Sequence, residues 1–331
     1  MRLAIEASES VRGTTSPNPP VGCVVLDAAG DVVAVGATEP PGGRHAEIVA
    51  LRAAGARAAG GTAVVTLEPC AHDGRTPPCA DALLAAGVTA VHYALADPNP
   101  LAAGGAARLR AAGVAVHSGP LAGEVAAGPL RAWLHYTRTG RPHVTWKLAA
   151  TLDGRVAAAD GTARWITSGQ SRADVHALRA KVDAIVVGTG TVLADDPALT
   201  VRDGAGRPAA RQPLRVVVGR RPLPASARVL DGEAPTLCLP DHEPAAVLEA
   251  LAARGVVDVM LEGGPTLAGA FVAAGLVHRV LAYLAPALLG SGPPALGEAG
   301  VRTIAGAVRL RLEEATLVGP DVRISAVPVA G

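Results

Sequence analysis

The sequence predicts an α/β protein made of two domains, and three observations support this prediction. Patterns typical of short strands alternate with patterns typical of helices along the whole chain, as in layered α/β folds. The length of 331 residues suits two domains of ordinary size. A polar turn, "TRTGRPHVTWK", separates two such alternating series. We therefore predict domains at 1–142 and 143–331.

Elements of the first half can be assigned in order. "VGCVVLD", "AVVTL" and "VHYALAD" are rich in β-branched residues and are flanked by turn residues, which predicts three strands. Between the first two, "HAEIVALRAAGARAAG" has the apolar spacing of a helix and ends in glycine. "CADALLAAG" predicts a second helix of the same kind.

The second half begins a new strand at "HVTWKLAATLDG". Further strands are predicted at "DAIVVG", "LRVVV", "DVMLEGG" and "RVLAYLAP", again separated by helical patterns. No internal repeat relates the two halves. The cores must be built mainly from Ala, Val and Leu, because aromatic residues make up only 2% of the chain.

Composition excludes several classes of function. The net charge is +1 and no basic stripe is interleaved with aromatic residues, so we expect no nucleic-acid partner. No apolar stretch is long enough to span a membrane, and "MRLAIEASES" lacks the apolar core of a secretory signal. Four cysteines are too few for a disulfide framework, so we expect a reducing, cytoplasmic setting.

A candidate metal site lies in the first half. His45 begins "HAE", Cys70 follows a predicted strand, and Cys79 begins a predicted helix. Three such ligands leave one zinc position for water, which is typical of catalytic zinc. Glu47 is two residues from a ligand and can shuttle a proton, as in the H-x-E…P-C-x-x-C signature of zinc-dependent base deaminases. Here eight residues, rather than two, separate the cysteines.

The alternative to a catalytic site is a structural zinc site, which would require a fourth ligand. His72 could provide it, although a place beside a substrate suits that residue better. The remaining cysteines, Cys23 and Cys238, lie in apolar runs and are expected in the core.

A second candidate site follows the predicted strand "DVMLEGG". Gly263 and Gly264 would allow close approach of a ligand, and Pro265 suits the first position of a helix. The free N–H groups of that helix start could hold a diphosphate, although an ordinary strand–helix turn remains the alternative. Neither a G-x-G-x-x-G fingerprint nor a P-loop is present.

Together, "TSPNPPVGCVV", "HAE", "TLEPCAHDGRTPPC" and "ADPNP" resemble the deaminase half of a bifunctional riboflavin-biosynthesis deaminase–reductase family. "KLAATLDGR", "WITS", "GTGTVLADDPALTVR" and "LEGGPTLAGAF" resemble its reductase half. The resemblance implies a cytidine-deaminase-like three-layer domain followed by a dihydrofolate-reductase-like α/β domain. It also implies zinc, NADPH and a phosphorylated pyrimidine substrate, in an oligomeric enzyme.

By this resemblance, His45, Cys70 and Cys79 hold zinc and Glu47 carries the proton. The residues implied to bind the deaminase substrate are Asn18, Arg75, Asp97 and Asn99, with Arg75 near the phosphate. Asn18 and Asn99 adjoin prolines, so a role as turn residues remains open.

The resemblance also implies residues of the reductase site. Those that match cofactor positions are Ala149, Trp165, Thr191, Asp195, Arg220, Gly264, Pro265, Thr266, Leu267, Ala268, Gly269 and Ala270. Those that match substrate positions are Ala163, Arg179, Leu199, Arg202 and Glu262, with Arg179 and Arg202 as candidate phosphate ligands.

Three charged residues of this half carry further expectations. Lys147 and Asp153 are candidates to orient the sugar and relay a proton, although Lys147 could instead be a surface residue of its strand. Arg220 could pair with the 2′-phosphate of NADPH or be a solvated turn residue.

Overall fold

The chain folds into two separate units in the computed structural model, which describes residues 1–72, 77–203 and 206–329. The first unit is Met1–Arg141 and the second is Pro142–Gly331. Both combine helices with a central sheet, so the predicted α/β class is confirmed. No helix among the described residues is both long enough and apolar enough to cross a membrane.

The first unit has a five-stranded sheet with the order β2-β1-β3-β4-β5. Strand β1 is antiparallel to β2 and β3, whereas β3, β4 and β5 run parallel. The carboxyl ends of β3 and β4 therefore lie side by side, which brings the segments that follow them together. The strands are β1 (Gly22–Leu26), β2 (Val32–Ala37), β3 (Thr62–Leu67), β4 (Ala90–Leu95) and β5 (Ala115–Ser118).

The described residues of this unit form six α-helices beside the sheet: α1 (Arg2–Ser10), α2 (Ala46–Ala54), α3 (Cys79–Ala85), α4 (Gly105–Ala111), α5 (Ala122–Ala127) and α6 (Arg131–Thr139). The helix predicted from His45 onward is shorter than its sequence pattern. It ends before Gly55, whose φ of 56° and ψ of −137° are not helical, and a 3₁₀ turn continues to Ala58. Glycine tolerates this conformation because it has no Cβ.

The second unit has an eight-stranded sheet with the order β12-β13-β11-β6-β10-β7-β8-β9. The strands from β11 to β9 in this order are parallel, and the hairpin β12–β13 is antiparallel. They are β6 (His143–Thr151), β7 (Ala184–Gly188), β8 (Leu214–Val218), β9 (Thr236–Leu239), β10 (Asp258–Leu261), β11 (Arg279–Ala285), β12 (Leu310–Val318) and β13 (Asp321–Pro328).

The helices of this unit are α7 (Gly169–Arg179), α8 (Thr189–Asp195), α9 (Pro244–Ala252) and α10 (Pro265–Ala273). Two apolar clusters pack around β7, β8 and β10, and the larger contains Phe271, the one phenylalanine of the sequence, fully buried. Most of their other members are Val, Leu and Ala, as the composition predicts. This core fixes the carboxyl ends of β6, β7 and β10 relative to one another.

One core prediction is wrong. Cys23 is buried in β1 as expected, but Cys238 is exposed. The reason is the position of its strand, because β9 forms an edge of the eight-stranded sheet and its side chains are only partly covered. An apolar run that looks like a core strand in the sequence can therefore lie at an edge.

Candidate functional sites

The three predicted metal ligands come together although they lie in separate segments. His45 precedes α2 in an extended conformation, Cys70 follows β3, and Cys79 is the first residue of α3. Their ligand atoms all lie within 4.8 Å of one another. Both cysteines are buried and His45 is half-buried. His72, the alternative fourth ligand, is exposed and is not a member of this cluster.

The distances within this cluster fit zinc. His45 Nδ1 lies 3.2 Å from Cys79 Sγ and 3.6 Å from Cys70 Sγ. In a tetrahedral site with bonds of about 2.3 Å to sulfur and about 2.0 Å to nitrogen, these atoms lie about 3.5 Å apart. One imidazole and two thiols are also the donors that zinc prefers. The described residues therefore provide a suitable three-ligand zinc site.

The two thiols are joined by a hydrogen bond. This bond from the Cys79 thiol, more than the neighbouring His45, lowers the pKa of Cys70. The same hydrogen bond and burial raise the pKa of Cys79. The Cys79 backbone N–H also donates to Cys70 Sγ at 3.3 Å. Cys70 is thereby favoured as a thiolate, which is the form that binds metals.

Glu47 lies in the first turn of α2 and its side chain is buried beside these ligands. Burial, followed by the negative charge of Cys70, raises the pKa of Glu47 to about 7. Its carboxyl group also takes part in a hydrogen bond with the Cys79 thiol. A carboxyl group with a pKa near neutrality can both accept and release a proton, which suits acid–base chemistry.

The predicted substrate residues of this unit occupy turns. The Asn18 backbone N–H donates to the Thr15 carbonyl at 2.8 Å, and the Asn99 side-chain oxygen accepts from the Leu101 N–H at 3.1 Å. Asp97 Oδ1 accepts from the Asn99 N–H at 2.8 Å, and burial raises the pKa of Asp97. The turn interpretation of both asparagines is thus correct for their backbone, and Arg75 lies outside the described residues.

Sequence reasoning missed Glu68, which directly follows β3 and is buried two residues before Cys70. Its carboxylate accepts hydrogen bonds from the backbone N–H groups of Asp97, Gly104 and Ala106. The available signal was a charged residue at the carboxyl end of an otherwise apolar strand, in "TLEPC".

In the second unit, three of the predicted residues form a charged cluster: Lys147 of β6, Arg179 of α7 and Glu262, which follows β10. Arg179 Nε and Nη2 donate to the two Glu262 oxygens at 2.7 and 2.8 Å, and Lys147 Nζ lies 3.8 Å from Glu262 Oε2. The Lys147 side chain is only 17% exposed, so it is not the surface residue that the alternative described.

This cluster is electrostatically compensated. Burial alone would raise the pKa of Glu262, but the Arg179 guanidinium and the Lys147 ammonium lower it to about 2. Burial lowers the pKa of Lys147, against the opposing effect of Glu262. His176, which the sequence did not single out, joins the cluster through electrostatic contact with Arg179 and Glu262, and its Nδ1 accepts from the Arg202 N–H at 3.3 Å.

The other charged candidates are engaged by the protein itself. Arg202 Nη2 donates to Glu233 Oε2 at 2.8 Å. Asp153 accepts from the Thr151 hydroxyl at 2.6 Å and from the Leu289 and Gly290 N–H groups. These hydrogen bonds, with that of Thr151 the strongest, lower the pKa of Asp153 to about 2.

The glycine-rich turn after β10 lies against the first turn of α8, which follows β7. The Gly264 N–H donates to the Thr191 hydroxyl at 3.0 Å, and Gly264 is the N-cap of α10 with Pro265 in the first turn. A Cβ on Gly264 would lie 3.3 Å from Thr191 Oγ1, which is tighter than ordinary contact. Two helix starts are thus held together at one edge of the sheet, and the predicted cofactor residues Gly264 to Ala270 begin at this point.

The remaining predicted residues of this unit have different environments. Trp165 is 68% exposed and has the Arg172 guanidinium 4.3 Å from its ring centre, whereas Leu199 is buried in the core with a positive φ of 52°. Asp195 ends α8, where its carbonyl accepts from Arg164. Ala149 is partly buried in β6, Ala163 lies in a turn, and Arg220 is exposed after β8.

Comparison with known proteins gives matches along both units. Residues 1–95 match the family model described as the cytidine and deoxycytidylate deaminase zinc-binding region, and residues 142–324 match the RibD C-terminal domain. The riboflavin biosynthesis protein RibD of Mycobacterium tuberculosis strain H37Rv is 58% identical over 327 residues. That alignment covers 99% of this chain and 96% of the mycobacterial protein.

Solved structures give the same result. Acinetobacter baumannii RibD has a TM-score of 0.88 at 37% identity, with 99% of this chain and 98% of that chain covered. A Thermotoga maritima structure, described as a diaminohydroxyphosphoribosylaminopyrimidine deaminase and 5-amino-6-(5-phosphoribosylamino)uracil reductase, has a TM-score of 0.91 at 30% identity, with 99% and 97% covered. The expected order of a deaminase domain before a reductase domain is confirmed. The chain therefore belongs to the RibD family of riboflavin biosynthesis enzymes, which join a zinc-binding deaminase domain to a reductase domain.

Proposed function

We propose that the chain catalyses two consecutive reactions on a phosphorylated pyrimidine. The first removes an amino group hydrolytically from the diaminohydroxyphosphoribosylaminopyrimidine named for the Thermotoga maritima relative. The second reduces the ribose of 5-amino-6-(5-phosphoribosylamino)uracil to a ribityl chain with NADPH. We assign the first reaction to residues 1–142 and the second to residues 143–331. The observation that carries the proposal is the convergence of His45, Cys70 and Cys79 beside the buried Glu47.

In the first reaction, His45, Cys70 and Cys79 would hold zinc, which when bound lowers the pKa of a water molecule toward neutrality. Glu47 would accept a proton from the attacking water and deliver it to the departing amino nitrogen, so that ammonia leaves. Its burial supports this role, since a desolvated carboxyl group is poised to exchange protons near neutral pH. Asn18, Asp97 and Asn99 would orient the pyrimidine, and Arg75 would hold the phosphate.

In the second reaction, Lys147 would hold the sugar at the carboxyl edge of the sheet. Its ammonium is kept in one place by Glu262, which Arg179 fixes through two hydrogen bonds. NADPH, when bound, supplies the hydride, and the Lys147 ammonium would donate the proton that the reduced sugar takes up. Ala163, Leu199 and Arg202 would complete the substrate contacts. Because Arg179 is already committed to Glu262, we assign it mainly to the placement of that carboxylate.

The cofactor would lie along the glycine-rich turn after β10. The hydrogen bond between Thr191 and Gly264 supports this, since it holds the starts of α8 and α10 side by side, and a helix start favours an anion. The residues that we propose to contact it are Ala149, Trp165, Thr191, Asp195, Arg220, Gly264, Pro265, Thr266, Leu267, Ala268, Gly269 and Ala270. We propose that Asp153 anchors the turn at 289–290 and does not relay a proton, because a pKa of about 2 keeps its carboxyl group ionised.

We further propose a cytoplasmic homo-oligomer that acts on a small-molecule substrate, without a nucleic-acid partner. The competing function is a zinc-stabilised scaffold without catalysis. It predicts that Glu47 is chemically dispensable, whereas our proposal makes Glu47 necessary for deamination.

The test is a single reaction that contains the purified protein, the diaminopyrimidine ribotide and NADPH. Release of ammonia and oxidation of NADPH are followed together. We expect ammonia first, with NADPH oxidation after a lag. If the folded, zinc-bound protein produces neither signal, the proposed function is wrong and the scaffold is favoured.

A further inference from the structure

Glu68 has contacts that no role assigned above explains. It follows β3 directly, lies two residues before the metal ligand Cys70, and is only 9% exposed. Its own N–H donates to the Leu95 carbonyl at the end of the neighbouring strand β4, at 2.8 Å. The side chain is therefore fixed at the point where β3 and β4 end.

The carboxylate binds both ends of one loop. Oε2 accepts from the Asp97 N–H at 3.3 Å, at the start of the loop. Oε1 accepts from the N–H groups of Gly104 at 3.2 Å and Ala106 at 3.0 Å, at its end. A charged acceptor strengthens such hydrogen bonds and suits the N–H groups that begin a helix, here α4. The loop 97–106 is thus closed by a single side chain.

The loop 97–106 also packs against the segment that carries the metal ligand Cys70. The Ala71 N–H donates to the Ala102 carbonyl at 3.0 Å. A Cβ on Gly105 would overlap the Pro69 carbonyl oxygen, so only glycine allows this approach. Glu68 and Gly105 therefore hold the loop from two independent directions beside Cys70.

We propose that Glu68 is a positioning residue for deamination. It closes the loop 97–106 so that Asp97 and Asn99 face the pyrimidine beside the metal centre. This inference rests on the proposed function, which makes Asp97 and Asn99 substrate ligands. A glutamine at this position has nearly the same size but only one acceptor oxygen, so its amide group must oppose at least one of the three N–H donors.

The test is Glu68→Gln in the full-length, zinc-loaded protein. We expect the KM for the diaminopyrimidine ribotide to rise about tenfold, because a buried N–H loses its acceptor, while kcat changes far less. Zinc content and the reductase reaction, assayed with its own substrate, should match the unaltered protein. Glu124→Gln, the same change at an exposed position of the same unit, is the matched control.

Two further measurements separate positioning from general destabilisation. Hydrogen exchange should accelerate in peptides that span 97–106 and not elsewhere, whereas partial unfolding would lower apparent kcat without a change in KM. Gly105→Ala, which displaces the loop from its other side, should also raise KM. Unchanged KM in both variants, or unchanged exchange in 97–106, would overturn the proposal. Failure of the unaltered protein to release ammonia would instead count against the proposed function, and hydrogen exchange would still decide the role of Glu68.

Discussion

The metal centre of the first unit and the charged cluster of the second differ in how the charges of their residues are compensated. At the metal centre, groups that become negative lie together, and burial beside Cys70 raises the pKa of Glu47 to about 7. In the charged cluster, one carboxylate lies between two cations, and the pKa of Glu262 falls to about 2 despite burial. The first arrangement favours the binding of a cation, whereas in the second the protein already compensates the carboxylate and leaves a net positive charge.

This difference explains why the residues of the two sites have different functions. The metal centre gathers donor atoms whose charges are compensated only when a metal ion binds. The charged cluster uses Arg179 and Glu262 to hold Lys147 in a fixed place, as bidentate arginine–carboxylate pairs do. Loss of a ligand or of Glu47 should therefore affect chemistry at the metal centre, whereas loss of Glu262 should lower stability at the charged cluster.

The largest effect is expected for Cys70→Ser. Removal of a thiolate ligand should abolish zinc binding and with it the release of ammonia, while reduction of the aminouracil ribotide continues. Zinc content measured by elemental analysis and separate assays of both reactions test this. Cys238→Ser, at the exposed cysteine, is the control and should change neither. Retention of zinc and ammonia release by the Cys70 variant would show that the ligand set is misassigned.

Glu47→Gln should have the next largest effect. The variant should keep zinc and its fold but lose about 10²–10⁴-fold in the rate of deamination, because a general acid–base group is removed. Initial rates of ammonia release at saturating substrate provide the measurement. A rate within a few-fold of the unaltered protein would support the scaffold alternative.

Glu262→Gln should lower the stability of the second unit, because it removes the carboxylate of the charged cluster. It leaves Arg179 and Lys147 partly buried without their anion, so we expect the free energy of unfolding of the second unit to fall by about 3–5 kcal/mol. Urea unfolding measures this. Glu233→Gln removes the more exposed partner of Arg202 and should cost about 0–1 kcal/mol. Equal losses in the two variants would refute the distinction.

The smallest effect is a pH dependence of the same cluster. The pKa of Glu262 is lowered from 4.5 to about 2 in the folded protein, so its stabilising contribution is present above pH 4.5 and is lost as the pH falls toward 2. Unfolding free energies between these pH values should therefore decline more steeply for the unaltered protein than for Glu262→Gln. Parallel slopes would mean that Glu262 does not carry this contribution.

The sequence predicted the metal centre better than the charged cluster. His45, Glu47, Cys70 and Cys79 stand in a recognisable motif, and their chemistry restricts their role. The pairing of Arg179 with Glu262 joins residues 83 positions apart, and no local pattern encodes it. Glu68 was missed because its partners are backbone N–H groups, which have no signature in a sequence.

The sequence predicted the buried strands correctly and the strands at the sheet edges less well. The runs that became β1, β3, β6 and β10 are mostly buried, so their apolar content identified them. Strand β12 lies at a sheet edge with mostly exposed residues, and no apolar pattern predicts it. The error at Cys238 has the same origin, since burial depends on the position of a strand in the sheet rather than on its own residues.

The central claim is that each unit carries its own reaction, and the Glu47→Gln variant tests it most directly. With the diaminopyrimidine ribotide and NADPH, we expect neither ammonia release nor NADPH oxidation beyond a trace. With the aminouracil ribotide and NADPH, we expect NADPH oxidation at the rate of the unaltered protein. Loss of NADPH oxidation in the second reaction, or normal ammonia release in the first, would contradict the central claim.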